Sequence, residues 1–317
     1  MSWKILINDG MEESGVNALK SLGFEVDTQK IPQEDLPHKL QEYHGIIVRS
    51  ATKVRKELID VCPGLKFIAR GGVGMDNIDV SYARDKGIAV INTPAASSRS
   101  VAELAMAHLL STTRGLQDAN RQFSGGDQFS ALKKKWSSCS EIQNKTLLLL
   151  GFGRIGSELA KMATAMGMHV IVNDPFVEKA NLKIKLGFQE VDIELPMVSR
   201  EEGLTKADYV SLHAPFTGSA LLGKNEFAIM KKGCFVINTS RGENIDEDAL
   251  LHALDAGIVS AAGLDVFQNE PHIKDALIQH PKICTSAHIG ASTMEAQERI
   301  AGELVEKINE LFKSKSL

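Results

Sequence analysis

Short apolar segments alternate along the chain with segments whose apolar residues recur every three or four positions. The first pattern is typical of buried strands and the second of helices that pack on a sheet. Because the two patterns alternate from end to end, the sequence predicts an α/β protein built on parallel sheets. The strand candidates are Lys4–Asp9, Glu25–Gln29, Gly45–Ser50, Leu65–Arg70, Ala89–Thr93, Thr146–Leu150, His169–Asp174, Ala207–His213, Cys234–Ser240, Ala261–Phe267 and Lys282–His288.

Three further segments bear on how the chain is divided. Val101–Leu116 predicts a long helix between the fifth and sixth strands, with His108 counted in its apolar stripe. The polar stretch Gln117–Lys145 predicts an irregular segment, either an arm or a surface loop. Thr293–Phe312 predicts an amphipathic helix after the last strand, which we expect to return to the first lobe.

The chain has 317 residues, which is typical of two domains. With the returning helix, we expect a discontinuous first domain of residues 1–99 plus 292–317 and a second domain of residues 100–291.

Composition excludes several classes of protein. Lys plus Arg is 36 and Asp plus Glu is 40, a net charge of −4 without a basic block, so we expect no nucleic acid and no membrane as partner. No segment reaches the roughly 18 apolar residues of a membrane span, and the first residues lack a signal-peptide pattern, so we expect a cytoplasmic protein. The four widely spaced cysteines form no CxxC pair, so we expect neither a disulfide scaffold nor a metal site.

A glycine pattern follows the fully apolar segment Thr146–Leu150. Gly151, Gly153 and Gly156 have the spacing GxGxxG, and a segment of helical period comes next. A tight turn, a close approach of pyrophosphate to the backbone, and close helix–strand packing require these three glycines in turn. The N–H groups at the start of the helix then attract phosphate. This arrangement predicts a dinucleotide site.

The next strand candidate ends at Asp174, 18 residues after Gly156. An acidic residue about 20 residues after the glycines accepts hydrogen bonds from the ribose hydroxyls of the dinucleotide. A carboxylate at this position also repels a 2′-phosphate, so the sequence favours NAD over NADP.

Polar residues or glycines lie at or near the carboxyl ends of the strand candidates of the second half, at the edge where ligands bind in parallel sheets. They are Gly151, Asp174, His213, Ser240–Arg241, Asp265 and His288. His288 is a candidate base for taking a hydroxyl proton, and Glu270 is placed to orient its ring. Arg241 offers a planar fork for a substrate carboxylate. Each residue alone has an ordinary structural alternative, but together they fit the oxidation of a secondary alcohol by NAD.

Motifs in a fixed order cover nearly the whole chain. They are Ile47–Lys53 (IVRSATK), Ala69–Asp79 (ARGGVGMDNID), Asn92–Pro94 (NTP), Val101–Ala105 (VAELA), Gly151–Gly156, Leu212–Pro215 (LHAP), Asn238–Gly242 (NTSRG), Gly263–Phe267 (GLDVF), Asn269–Pro271 (NEP) and Ala287–Gly290 (AHIG). In this order they resemble the D-isomer-specific 2-hydroxyacid dehydrogenases. The resemblance implies two Rossmann-like or flavodoxin-like doubly wound domains with a cleft between them, the first domain binding substrate and the second NAD.

The resemblance also implies a role for each matching residue. Arg241, Glu270 and His288 match the catalytic residues of the family. The cofactor positions are Gly151, Gly153, Arg154, Ile155, Gly156, Asp174, His213, Ala214, Pro215, Thr239, Ser240, Arg241, Asp265, His288, Gly290 and Ala291. The substrate positions are Arg49, Arg70, Gly72, Val73, Arg241 and His288. Within the family, Arg49 and Arg70 match the residues that hold a substrate phosphate.

The phosphate positions imply NAD-dependent oxidation of 3-phospho-D-glycerate to 3-phosphooxypyruvate, a step in serine biosynthesis. Some members add a basic residue after a Lys-Trp pair; this chain has Ser137 and Ser138 there, with Lys133–Lys135 just before. Others carry serine-binding domains after the last helix, and we expect L-serine not to inhibit this chain through one.

Two alternatives stay open at this point. The chain fits the reduction of glyoxylate, hydroxypyruvate or another unphosphorylated 2-oxo acid. It also fits an NAD(H)-sensing binding protein of the corepressor type. Members of the family usually form homodimers or homotetramers, which we expect for this chain as well.

Overall fold

The computed structural model describes residues 2–315, apart from the side chains of Leu186 and Lys315. Within these residues the chain divides into two compact units, which we name the first unit (residues 2–98 and 291–315) and the second unit (residues 99–290). Each contains a parallel sheet with helices packed on both faces. The predicted α/β class is therefore confirmed.

The first unit is built on a five-stranded sheet. Its strands are β1 (Lys4–Ile7), β2 (Glu25–Asp27), β3 (Gly45–Val48), β4 (Phe67–Arg70) and β5 (Ala89–Asn92). Its helices are Glu13–Ser21, Leu36–Lys39, Lys56–Asp60, Val80–Asp85 and Met294–Lys315, with a 3-10 turn at Leu40–Glu42. The strand order β2-β1-β3-β4-β5 is that of a flavodoxin-like sheet, in which the topology reverses between β1 and β3.

The second unit contains a six-stranded parallel sheet and a separate hairpin. Its strands are β6 (Thr146–Leu150), β7 (His169–Asn173), β8 (Ala180–Leu186), β9 (Gln189–Leu195), β10 (Tyr209–Leu212), β11 (Cys234–Asn238), β12 (Val259–Leu264) and β13 (Ile283–Thr285). The order in the large sheet is β13-β12-β11-β10-β6-β7, so its topology reverses between β6 and β10.

Helices and 3-10 turns connect these strands. The helix Ser98–Arg114 begins at the last residue before the second unit and belongs to it from Arg99 onward. The other helices of the second unit are Leu116–Gln122, Phe129–Lys135, Arg154–Ala165, Arg200–Lys206, Lys224–Ile229, Glu247–Asp255 and Asp275–Gln279. The 3-10 turns are Gly126–Gln128, Trp136–Ser138 and Gly242–Asn244.

The uninterrupted apolar character of β6 follows from burial on both faces. Leu147 and Leu149 belong to the buried cluster on one face, and Leu148 and Leu150 belong to the cluster on the other. Side chains alternate between the faces of a strand, so all four leucines are removed from water. Burial of each leucine contributes about 2 kcal/mol to the free energy of unfolding, relative to a leucine left in water. The strand that carries the glycine pattern is therefore rigidly held.

Most predicted strands extend too far at their carboxyl ends. The strand predicted to reach His288 ends at Thr285, and the one predicted to reach Phe267 ends at Leu264. The physical reason is that residues after the last ladder hydrogen bond turn away from the sheet into loops. Those loops carry the residues of the candidate site.

Two segments differ from the prediction in kind. Gln117–Lys145 is not irregular throughout, because it contains the two short helices Leu116–Gln122 and Phe129–Lys135. These helices are linked through the Asp118 carboxylate, which accepts a hydrogen bond from Lys135 Nζ at 2.7 Å. The hairpin β8–β9 was not predicted at all.

Over residues 2–315, the helices are too short or too polar for any of them to cross a bilayer.

Candidate active site

The second unit brings most of the predicted cofactor and catalytic residues to one edge of its sheet. All six strands are parallel, so their carboxyl ends lie at the same edge. The residues that follow them are Gly151–Gly156, Asp174, His213–Pro215, Thr239–Arg241, Asp265 and His288–Gly290, with Glu270 in the loop after β12. Ligands of doubly wound sheets bind at this edge, close to the reversal of topology.

The glycine loop is built by close backbone approaches. Gly151 has φ of +101°, and a Cβ there would lie 2.8 Å from the backbone nitrogen of Ala214. A side chain at Gly156 would collide with the carbonyl oxygen of Gly151. Among the described residues other than Gly153 and its two chain neighbours, no atom lies within 4 Å of the position that a Cβ at Gly153 would take, so this face of the loop is open to a ligand. The helix Arg154–Ala165 begins there and directs its free N–H groups to the same side.

Asp174 is hydrogen-bonded to the glycine loop. Its Oδ2 accepts the N–H of Phe152 at 2.7 Å, and its Oδ1 accepts the N–H of Phe176 at 2.9 Å. A carboxylate has about four acceptor positions, so lone pairs stay free for two ribose hydroxyls. The carboxylate is fixed beside the loop that the sequence assigns to pyrophosphate.

Buried polar atoms lie at the same edge without a hydrogen-bond partner among the described residues. They are Nδ1 of His213 and Oγ1 of Thr239. His213 Nε2 lies 2.9 Å from Ser211 Oγ, and burial lowers the pKa of His213 to about 4, so this ring is neutral. An unsatisfied buried polar atom costs free energy, and it is typically explained by a ligand or water.

Two asparagines fix the backbone of Ser240 and Arg241. Asn238 Oδ1 accepts the N–H of Ser240 at 3.0 Å, and its Nδ2 donates to the carbonyl of Arg241 at 2.8 Å. Asn244 Nδ2 donates to Ser240 Oγ and to the carbonyl of Ala214. Arg241 Nη1 donates to the carbonyl of Ser240 at 2.7 Å. The guanidinium is thus held on a rigid loop.

His288 and Glu270 form a hydrogen-bonded pair. His288 Nδ1 lies 2.7 Å from Glu270 Oε2, while Glu270 Oε1 accepts the N–H of Phe267 at 3.0 Å. The bond to the carboxylate fixes Nδ1 as the protonated nitrogen, so Nε2 of the neutral ring carries a lone pair. Among the described residues nothing hydrogen-bonds Nε2, and the side chain is 45% exposed.

Glu270 is ionised at neutral pH. Burial opposes its ionisation, but the hydrogen bonds from His288 and from the Phe267 N–H, with the charges of His288 and Arg241, lower the pKa of the Glu270 carboxyl. An ionised Glu270 stabilises a positive charge on the ring of its partner. The pair is therefore suited to accept a proton at His288 Nε2 and return it.

Asp265 anchors the loop that carries His288. It is 1% exposed, its Oδ1 accepts the N–H of Ile289 at 2.8 Å, and its Oδ2 accepts the N–H of Gly290 at 2.9 Å. Its carbonyl oxygen accepts the N–H of His288 at 2.8 Å. Ala291, the last predicted cofactor position, is the first residue of the returning segment of the first unit.

In the first unit, Arg49 lies at the reversal of topology. It follows β3, and its N–H donates to Oδ2 of Asp9, which follows β1. The same carboxylate accepts the N–H and the hydroxyl of Thr52. Asn77 Nδ2 donates to the carbonyls of Arg49 and Thr52. The turn that carries Arg49 is thus fixed on both sides.

Arg70 ends the neighbouring strand β4, and its guanidinium lies against Gly72. Gly72 has φ of +151° and lacks space for a Cβ, because Arg70 Nη1 occupies that position. The Gly72 N–H donates to the carbonyl of Arg70 at 2.9 Å, and Val73 is exposed. The stem of Arg49 packs near Gly71, so the two arginines flank one glycine turn.

The three lysines that precede Trp136 belong to the second unit. Lys135 is paired with Asp118 in the second unit, and Lys133 and Lys134 are exposed.

His108 and Ser286 were assigned no site role from the sequence. These two residues are hydrogen-bonded to each other, and Ser286 is hydrogen-bonded to Asp265. A histidine in an otherwise apolar helical stripe was the available signal.

These features fit an NAD molecule at this edge. The open face of Gly153, the fixed carboxylate of Asp174 and the unpartnered atoms of His213 and Thr239 are what a dinucleotide requires. Residues 106–290 match the model of the family described as "D-isomer specific 2-hydroxyacid dehydrogenase, NAD binding domain".

Two curated relatives show about the same identity but differ in length. The chain is 40% identical over 313 residues to a hydroxypyruvate reductase of Thermotoga maritima, covering 96% of this chain and 97% of that protein. It is 39% identical over 313 residues to the chloroplastic D-3-phosphoglycerate dehydrogenase 2 of Arabidopsis thaliana, covering 96% of this chain and 48% of that protein. The chain therefore spans about half the length of the plant relative.

A solved structure shows the same fold. The D-lactate dehydrogenase of Aquifex aeolicus, complexed with NAD and lactic acid, matches with a TM-score of 0.78 at 29% identity. The match covers 98% of this chain and 96% of that one.

Proposed function

Because the chain belongs to the D-isomer-specific 2-hydroxyacid dehydrogenases and its second unit is the NAD-binding domain, we propose that it oxidises 3-phospho-D-glycerate to 3-phosphooxypyruvate. The observation that carries the choice of substrate is the placement of Arg49 and Arg70. Arg49 follows β3, at the topological reversal of the first unit, Arg70 ends the neighbouring strand β4, and both lie beside the Gly71–Gly72 turn. Two guanidinium groups suit a phosphate, which carries nearly two negative charges.

The second unit supplies the groups for the chemical step. His288 Nε2 accepts the proton of the substrate hydroxyl, and Glu270 holds the ring and stabilises its charge. Arg241 binds the substrate carboxylate and stabilises the negative charge that develops on the carbonyl oxygen. When NAD is bound, its nicotinamide provides the acceptor for the hydride.

A second candidate is the reduction of hydroxypyruvate or glyoxylate. The observation in its favour is the relative from Thermotoga maritima, a hydroxypyruvate reductase that this chain covers almost end to end. The same residues perform this reaction in reverse, with His288 donating a proton to the carbonyl oxygen. The two candidates differ in the direction of the reaction and in whether the arginines of the first unit bind a phosphate.

Substitution of Arg49 by alanine separates these candidates. We expect kcat/KM for 3-phospho-D-glycerate to fall about 100-fold, because a charge-assisted hydrogen bond to phosphate is lost. For D-glycerate, which has the same skeleton without the phosphate, we expect a change of less than about threefold. Both values are measured by the appearance of NADH.

Arg84→Ala is the matched control for this experiment. Arg84 is an exposed arginine in a helix of the same unit, and its removal should change neither value. Equal losses for the two acids in Arg49→Ala would contradict phosphate binding by Arg49 and favour the second candidate.

A further inference from the structure

A buried histidine of the second unit is hydrogen-bonded to Ser286, two residues before His288. His108, in the long helix that precedes β6, is 3% exposed. Its Nε2 lies 2.8 Å from Ser286 Oγ, which lies 2.6 Å from Asp265 Oδ1. The ring packs on Gly263 of β12, where a Cβ would lie 2.6 Å from His108 Cβ. The glycine thus leaves the space that the imidazole occupies.

The direction of these hydrogen bonds follows from the groups involved. The carboxylate of Asp265 only accepts, so the single hydroxyl proton of Ser286 is donated to Asp265. The Ser286 oxygen then accepts the Nε2–H of His108. Nδ1 of His108 is buried without a hydrogen-bond partner among the described residues. Burial lowers the pKa of His108, although the charge of Asp265 acts in the opposite direction, and this favours a neutral ring. The hydrogen bond to Ser286 then selects the Nε2–H tautomer.

The His288 loop requires such support. His288 has φ of +53°, in the left-handed region that residues other than glycine rarely adopt. Such a conformation costs on the order of 1 kcal/mol and persists only where the surroundings impose it. The N–H groups of His288, Ile289 and Gly290 all donate to Asp265, the last two to its carboxylate, and Ser100 Oγ donates to the carbonyl of Gly290. The orientation of the Asp265 carboxylate therefore helps to fix the loop.

We propose that His108 is a positioning residue for the dehydrogenase reaction, acting through Ser286 and Asp265 to hold His288 where it meets the substrate hydroxyl. This inference rests on the proposed function, in which His288 is the base. The path lies within the second unit, and each of its hydrogen bonds is 2.9 Å or shorter.

A double-substitution cycle on kcat tests the path. His108→Leu fills the buried position with an apolar side chain but removes the Nε2–H donor, and we expect kcat to fall about tenfold. His108→Gln keeps an N–H donor and should restore most of kcat. In a Ser286→Ala background, His108→Leu should have no further effect, because the path is already broken.

Thr112→Val is the matched control for packing. Thr112 is buried in the same helix, and its hydroxyl donates to carbonyls of that helix, so kcat should stay within twofold of wild type. Losses that multiply in the double variant would overturn the proposal. A His108→Gln variant whose kcat is no higher than that of His108→Leu would also overturn it. So would a Thr112→Val variant that loses as much kcat as His108→Leu.

Histidine ¹⁵N NMR of the wild-type protein tests the hydrogen-bond chain apart from catalysis. We expect His108 to be the neutral Nε2–H tautomer at pH 6.5, where a free imidazole is half protonated. A protonated ring or an Nδ1–H tautomer overturns the proposal. Wild-type protein without any turnover refutes the proposed function as well, whereas turnover with multiplying losses refutes only the role of His108.

Discussion

His288→Gln should lower kcat for the oxidation of 3-phospho-D-glycerate by about 10³-fold, while the affinity for NADH changes less than tenfold. His288 Nε2 is the proposed proton acceptor, and its partner Glu270 stays ionised at neutral pH. Glutamine retains a polar side chain of similar reach but takes up no proton at neutral pH. The hydroxyl proton must then leave to water.

The control for this variant is His272→Gln, which removes an exposed histidine of the same segment. Its kcat should stay within twofold of wild type, because it is the backbone N–H of His272 that donates to the carbonyl of Asn269, and the substitution leaves that bond in place. Steady-state kinetics give kcat, and quenching of protein fluorescence gives NADH affinity. If His288→Gln retained more than a tenth of kcat, another group would have to be the base.

Arg241→Gln should lower kcat/KM by about 10³-fold, and Arg241→Lys by about 10²-fold. Lysine keeps the charge but loses the planar fork that binds a carboxylate through two parallel hydrogen bonds. The loop of Arg241 is fixed by Asn238 and Asn244, so the position of a substituted side chain should be unchanged. The larger loss should lie in the glutamine variant because it also removes the charge beside the developing oxyanion.

Arg200→Gln serves as the control in the same unit. Arg200 forms a partly exposed ion pair with Glu226, and ion pairs near the surface typically contribute at most about 1 kcal/mol to stability. Its kcat/KM should be that of wild type within twofold. An Arg241→Lys variant with wild-type kcat/KM would contradict a bidentate carboxylate contact.

The sequence predicted the sheets because their strands are buried on both faces. Thr146–Leu150 was predicted with its observed bounds, since every leucine in it belongs to a core cluster. The placement of Gly151 and Asp174 followed from their positions at the ends of such strands. The family was predicted as well, and residues 106–290, which contain the motifs from Gly151 to Gly290, match its model.

The hairpin β8–β9 was missed, although a local signal was present. Leu182, Ile184, Ile193 and Leu195 are buried or half-buried, and they alternate with exposed polar residues as in a strand with one solvated face. The turn consists of Gly187, with φ of +62°, and Phe188. A search for fully apolar runs overlooks a two-residue period.

His108 shows a different limit of sequence reasoning. At its position a histidine fits an apolar helical stripe, and only the folded chain places its Nε2 beside Ser286, 178 residues further along. The left-handed conformation of His288 is likewise imposed by tertiary hydrogen bonds to Asp265 and not by local preference. The sequence predicted the residue types of the site and the partnership of Glu270 with His288, but not the hydrogen bonds through which Asp265, Ser286 and His108 hold the loop.

The most direct test is the wild-type rate of NADH formation with 3-phospho-D-glycerate and with D-glycerate, D-lactate and glycolate under the same conditions. The proposed function predicts the highest kcat/KM for the phosphorylated acid, by about 100-fold over D-glycerate. A higher kcat/KM for any unphosphorylated acid, or no NADH formation with all four, would contradict it.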